Sequence, residues 1–369
     1  MHNIAVHAER YGAEIGLAVR ADLILYVAAL LYLLAGSAYL LAMRHPFIAE
    51  YDVYAMGCIA LCCIVLPYAS LLIGASRILL FAGTRRRLAW RTLVSPRRVS
   101  RGVAGTLLML VLLLLFEAMY TSVKTTFSSA HFPFDRLVAD FDKALHFGHA
   151  PAYWLAFMRA DWLLRLIETN YDVVWFPLWL WTLYWFCVTP RGAALRVRFV
   201  LTFMLAWAIV GNVFASVLLT AGPALYGHST GDDTRFAKLA QFLQSTPNST
   251  AATQNYLWAL HQAGSGGLGS GISAFPSMHV AVTTVCALFL SEFDRRLCIP
   301  AWTYLAIICV SSVYLGWHYA VDGYAAITMT VAIYWAVRAA PQLLKVRFRW
   351  RRSAGAGRPV FRREDMASS

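Results

Sequence analysis

Long apolar runs alternate with short polar, often arginine-bearing, segments along most of the chain. Runs of about 18–25 residues recur at about 22–43, 54–75, 102–123, 170–189, 199–220, 277–292, 300–318 and 323–341. A helix needs about 20 apolar residues to cross a bilayer. The pattern therefore predicts an all-α integral membrane protein with about eight transmembrane helices. Residues 1–21 are amphipathic, and Asp22 leads straight into the first full-length run. No small-residue cleavage site follows, so this segment is expected to be an uncleaved first helix and not a signal peptide.

Composition removes the soluble all-α alternative. The chain is 59% hydrophobic and only 14% charged, where a soluble domain carries about 25% charged residues. The seven cysteines fall almost all within the predicted spans and read as small packing residues, not as a disulfide set.

The net charge of +13 suggests nucleic acid until its location is considered. Arginines crowd 77–101, 191–198 and 295–296, and lysine and arginine crowd the tail from Lys345 to Arg363. These clusters follow the second, fourth, sixth and eighth runs, so the positive-inside rule places them, and both termini, in the cytoplasm. The opposite loops carry scattered acids, among them Asp135, Asp140, Asp142 and Glu168. Topology and anionic lipid headgroups account for the charge, and no nucleic-acid partner is expected. Short loops favour a bacterial inner membrane.

The charge run also suggests a division: two N-terminal spans with a basic loop (1–101), a six-span core (102–341) and a basic tail (342–369). Two long loops face away from the arginines. One, 124–169, includes an amphipathic stretch at 151–155 expected to lie on the interface. The other, 221–276, closes with the glycine-rich run 264–271, expected to act as a hinge or lid.

Two stretches carry the candidate chemistry: Ala274-Phe275-Pro276-Ser277-Met278-His279 and Trp317-His318-Tyr319-Ala320-Val321-Asp322. Polar and ionisable groups at membrane depth are costly and mark function by default. With the arginine-based topology, Ser277, His279, His318 and Asp322 all reach the non-cytoplasmic face. The i,i+4 spacing of His318 and Asp322 would bring the carboxylate under the imidazole in one helical turn. Two histidines with different tasks suit phosphoryl transfer: His318, oriented by Asp322, attacks phosphorus, and His279 protonates the departing oxygen. Ser277, at the start of a helix where anions are favoured, would hold a phosphate oxygen.

Pro276-Ser277-x-His279 followed by His318-x-x-x-Asp322 resembles the type-2 phosphatidic acid phosphatase superfamily. The fuller Gly271-Ile272-Ser273-Ala274-Phe275-Pro276-Ser277-Met278-His279, with His318-Tyr319-x-x-Asp322, is closer to its inositol phosphorylceramide synthase branch. The resemblance spans about residues 115–340 and implies a six-helix core, with His279, His318 and Asp322 as catalytic triad and Ser277 as phosphate contact. The departures are specific. Met278 stands at a phosphatase glycine, and the Ser-Arg pair of the phosphatases is Ser311-Ser312, so a phosphate-binding arginine is missing. Lys124 is the leading replacement cation, ahead of Arg136, His131 and Arg235.

The expected function is thus a membrane lipid phosphotransferase moving a phosphoryl-headgroup from a phospholipid donor to a lipid hydroxyl. A lipid phosphate phosphatase using water as acceptor is the alternative, and neither a cofactor nor a metal is expected. A proton-coupled transporter ranks lower, because no inverted repeat and no charge at mid-span is apparent.

Overall fold

The computed structural model describes residues 2–45, 51–81, 83–129, 131–245, 249–265, 267 and 269–340. The basic tail from 342 onward, Glu50, and Gly266 and Leu268 of the glycine-rich run lie outside them. The protein is all-helical, with no strand among the described residues.

Among the described residues, six helices are long and apolar enough to cross a membrane: Leu23–Ala42, Ala55–Leu80, Pro96–Thr125, Arg196–Val217, Arg295–Tyr314 and Ala320–Ala339. Two of the eight expected spans fall outside that group for identifiable reasons. Met278–Phe293 is apolar but has only 16 residues. The continuous helix 161–188 is long enough, but its first half carries Asp161, Arg165, Glu168 and Asp172, which leaves an uncharged stretch of only 16 residues, 173–188. Leucine and isoleucine side chains such as Leu31, Leu34, Ile64 and Leu80 are exposed along the spans. That surface is stable only against hydrocarbon.

The N-terminal spans are tied into the rest of the bundle. Arg196 donates through Nε and Nη2 to Oδ1 of Asp22, at 2.9 and 2.6 Å, with both side chains buried. Removing one partner of such a pair costs about 3–5 kcal/mol. Tyr32 stacks on Phe116 and accepts a 2.7 Å hydrogen bond from the Asn212 side chain. The division drawn after residue 101 falls inside the continuous helix Pro96–Thr125.

In the first long loop the main amphipathic helix is Asp135–Leu145, while the expected interfacial stretch forms a single turn, Pro151–Trp154. Leu137, Phe141 and Leu145 recur every four residues on the outer face of Asp135–Leu145 and are exposed. Asp135, Val138, Ala139 and Asp142 face inward and are buried. An apolar outer face with an acidic inner one suits a helix lying at the membrane surface over a polar site.

Among the described residues, four helices turn π-helical, at 61–65, 111–116, 169–174 and 206–214. There the amides of Leu66, Glu117 and Trp175 donate five residues back, to Leu61, Leu112 and Asn170. All four segments border one internal cavity, through Leu61, Leu113, Tyr171 and Trp207. Such π-bulges are frequent at functional sites.

Candidate active site

A cavity of about 740 Å³ runs through the bundle and is lined mainly by apolar and aromatic side chains. His279, His318 and Lys124 all line it. The two histidine motifs therefore meet, as the topology count implies, and Lys124 joins them from the end of the third span.

The motifs interlock through main-chain atoms. The Ser277 amide donates to the Asp322 carbonyl at 3.3 Å. The amides of Trp317 and His318 both donate to the Ser312 carbonyl, at 3.1 and 3.3 Å. The serine standing at the position of the missing arginine thus shapes the histidine loop with its backbone. The segment before Pro276 is fixed to Thr220, whose carbonyl accepts from the Ala274 amide at 2.8 Å and whose hydroxyl accepts from the Phe275 amide at 3.0 Å.

Ala274 is the closest partner of His318. The imidazole Nδ1 lies 2.6 Å from the Ala274 carbonyl oxygen and 3.4 Å from Oδ2 of Asp322. A carbonyl only accepts, so the proton sits on Nδ1 and the lone pair on Nε2. Asp322 supports this arrangement at one remove: its Oδ2 accepts the Tyr319 amide at 2.9 Å and caps the helix Ala320–Ala339. The contact between Asp322 and His318 arises from this cap and not from a shared helical turn, because His318 lies in the loop between Tyr314 and Ala320, outside both spans. Burial lowers the basicity of His318 to about 4, opposed by the Ala274 bond and reinforced by the Lys124 charge. The imidazole is accordingly neutral at physiological pH, as a nucleophile must be.

His279, on the first turn of Met278–Phe293, packs against the rings of Tyr171 and Trp175, each with its centroid 4.1 Å away. The Trp175 indole donates to the Thr283 hydroxyl at 3.0 Å, and that hydroxyl donates to the His279 carbonyl at 2.7 Å.

Two glycines let the loops approach. Gly271 has φ +84°, and a Cβ there would overlap the Lys124 carbonyl. Gly222 has φ +90° and sits against the Trp317 carbonyl, where a Cβ would lie 2.5 Å away. Both are backbone positions that glycine alone tolerates well. The glycine-rich run thus ends as a close wall of the cavity at Gly269 and Gly271.

The other expected residues sort differently. Ser277 occupies the cap position of Met278–Phe293 but its side chain makes no capping bond. It is fully buried and absent from the cavity lining, although its neighbours Pro276 and Met278 belong to it. Arg136 donates to the Thr230 carbonyl at 2.8 Å, and Arg235 donates to Asp140 at 2.6 Å. Neither they nor His131 line the cavity.

Three groups of residues have roles that their sequence context did not suggest. Asp135 accepts from the amides of Ala221 and Gly222, at 2.9 and 3.1 Å, and from the Tyr319 hydroxyl at 2.9 Å. Asp142 accepts from the Val321 amide at 3.0 Å. Burial pushes both carboxyls up from their ordinary range, and these donors pull them back. Their seven-residue spacing on one helix face was the available signal. Tyr171 and Trp175, one helical turn apart, are the second group. The third is Glu117, a carboxyl within Pro96–Thr125 that lines the cavity, in a span expected to carry no charge at its middle.

Residues 136–336 match the family model of the PAP2 superfamily. The chain belongs to the PAP2 superfamily. Comparison with curated proteins and with solved structures gave no match. Membership in the PAP2 superfamily makes the chain an enzyme of the lipid phosphatase and phosphotransferase kind. The matched segment holds Ser277, His279, His318 and Asp322, whereas Lys124 and the first three spans lie outside it.

Proposed function

We propose that the protein is a membrane lipid phosphotransferase, akin to the inositol phosphorylceramide synthase branch, that works through a phosphohistidine at His318. The observation that carries this proposal is the convergence of His318, His279 and Lys124 on one large, mostly apolar cavity. A cavity of that composition suits lipid chains and disfavours bulk water, and exclusion of water is what separates transfer from hydrolysis.

In the first step Nε2 of His318 attacks phosphorus, the bond to the donor's leaving oxygen breaks, and His279 gives that oxygen its proton. In the second step the acceptor hydroxyl attacks phosphorus, its proton passes to His279, and the phosphorus–nitrogen bond breaks to restore His318. Lys124 balances the phosphoryl charge in both steps. Ser277, with its hydroxyl set behind the cavity wall, contributes through the backbone contact of its amide to Asp322. The arginine distribution along the sequence supports a site on the non-cytoplasmic side, with both termini cytoplasmic, in a bacterial inner membrane.

The test is incubation of the purified protein with labelled phospholipids, with and without hydroxyl-bearing lipid acceptors. The expected product is a new phospholipid that forms only with the acceptor present. Free phosphate as the main product would select the phosphatase instead. Quenched single-turnover reactions should yield an acid-labile, base-stable phosphoprotein, and its absence would remove the covalent intermediate.

A further inference from the structure

The two histidines are held by different means. His318 is fixed by the hydrogen bond from its Nδ1 to the Ala274 carbonyl. Among the described residues the imidazole of His279 makes no hydrogen bond, and flat surfaces take that place. The ring of Tyr171 lies 4.1 Å from it, centroid to centroid, with the two planes only 15° apart, and Trp175 lies at the same distance with its plane at 36°. Both aromatic side chains are buried. They come from the π-helical turn at 169–174 and the residue after it, where the Trp175 amide donates to the Asn170 carbonyl. The Trp175 indole is itself bonded, through the Thr283 hydroxyl, to the main chain of His279. The helix that supplies the rings is thereby pinned to the helix that carries the imidazole.

The second torsion of a histidine side chain has only broad preferences of its own, so the surroundings decide the plane of the ring. Turning the imidazole out of its present plane would drive its edge into the Tyr171 ring, and a close-packed interior resists that. The two nitrogens lie in the plane of the imidazole, and face contacts occupy neither of them. A hydrogen bond such as the one on His318 would commit one nitrogen and one tautomer. His279, by contrast, has to release a proton in the first step and take one up in the second. Taking the proposed transfer reaction as premise, we infer that Tyr171 and Trp175 are positioning residues. They set the plane in which His279 delivers and collects its proton, and they leave both nitrogens to the reacting groups.

Changing the leaving group separates proton transfer from folding. Two donors carry the same phosphoryl headgroup, that of the phospholipid turned over in the incubation above. One is that phospholipid, whose departing alcohol oxygen needs a proton. The other is the matching alkyl-chain 4-nitrophenyl ester, which releases nitrophenolate without one. Formation of the phosphohistidine is followed over a single turnover of full-length protein in nanodiscs, as loss of phospholipid or as the burst of nitrophenolate. Tyr171→Leu should slow the phospholipid step about tenfold or more and leave the nitrophenolate burst unchanged. Tyr171→Phe, which keeps the ring, should match wild type on both donors. An equal loss on both donors in Tyr171→Leu marks a structural part only and overturns the inference. So does an unchanged phospholipid rate, or a Tyr171→Phe variant as slow as Tyr171→Leu. His279→Ala tests the premise separately: it should lose about 10²-fold or more on the phospholipid alone. If it loses as much on both donors, or if wild type releases no nitrophenolate, the transfer mechanism itself fails and the inference with it.

Discussion

The two ends of the cavity use their side chains differently. At the histidine end, Asp135 accepts from the Ala221 and Gly222 amides, Asp142 from the Val321 amide and Oδ2 of Asp322 from the Tyr319 amide, and Nδ1 of His318 donates to the Ala274 carbonyl. At the other end the walls are mainly apolar and aromatic, with Leu61, Leu113, Trp179 and Trp207 around Glu117. The carboxylates of the first region are building material: they hold the ends of several helices together so that Nε2 of His318 presents its lone pair to the cavity. A carboxyl near a catalytic residue is thus not evidence of catalysis.

That contrast can be broken most severely at His318. His318→Ala should lower turnover by roughly 10⁴-fold or more, as loss of a nucleophile does, with no fall in thermal stability. Full activity in that variant would end the assignment. In wild type, the acid limb of kcat/KM due to His318 should lie near pH 4, because a basicity lowered to about 4 keeps the imidazole neutral above that pH. A limb near 6.5, the value of an exposed imidazole, would show that the nucleophile is not buried as described.

Asp135→Ala tests the scaffold side of the comparison. It strands three donors, from Ala221, Gly222 and Tyr319, and should cost about 3–5 kcal/mol of stability. A lowered thermal midpoint in detergent, with activity lost in parallel, is the expected signature. Unchanged stability would reassign Asp135 to substrate. Lys124→Gln should reduce kcat/KM by about 10²-fold, the usual effect of removing one charge-stabilising group, while leaving the midpoint near that of wild type. The smallest effect is expected for Asp322→Asn. An amide oxygen can still accept the Tyr319 amide, and the nearer partner of His318 is the Ala274 carbonyl. A loss of about tenfold in rate is expected, and a loss as large as that of His318→Ala would make Asp322 the orienting group after all.

Much of this was legible in the sequence, for physical reasons. Apolar runs long enough to span a membrane have few alternatives, and His279 and His318 announce themselves because ionisable groups are out of place at helix ends in a bilayer. Lys124 was named only through the phosphatase resemblance, as a replacement for the missing arginine. The clamp by Asp135 and Asp142 was legible only as two acids on one helix face; their partners Ala221 and Val321 lie 86 and 179 residues away, and that spacing carries no mark of the amides they meet. The placement of Ser277 behind the cavity wall depends on the path of two loops, which periodicity does not encode. The apolar part of the 161–188 helix was legible as a run from 170, while the charges of its first half keep it out of the group of long apolar helices.

The contact of His318 with Ala274 has one more consequence. Its acceptor is a main-chain oxygen, so it survives any exchange of the side chain at 274 that leaves the chain path intact, Ala274→Gly included. A scan of single substitutions would register position 274 as silent while the group that decides which imidazole nitrogen reacts sits there throughout. What this contact constrains is spacing and not identity. One residue inserted between Ala274 and Pro276 would shift that oxygen out of register, whatever the residue was.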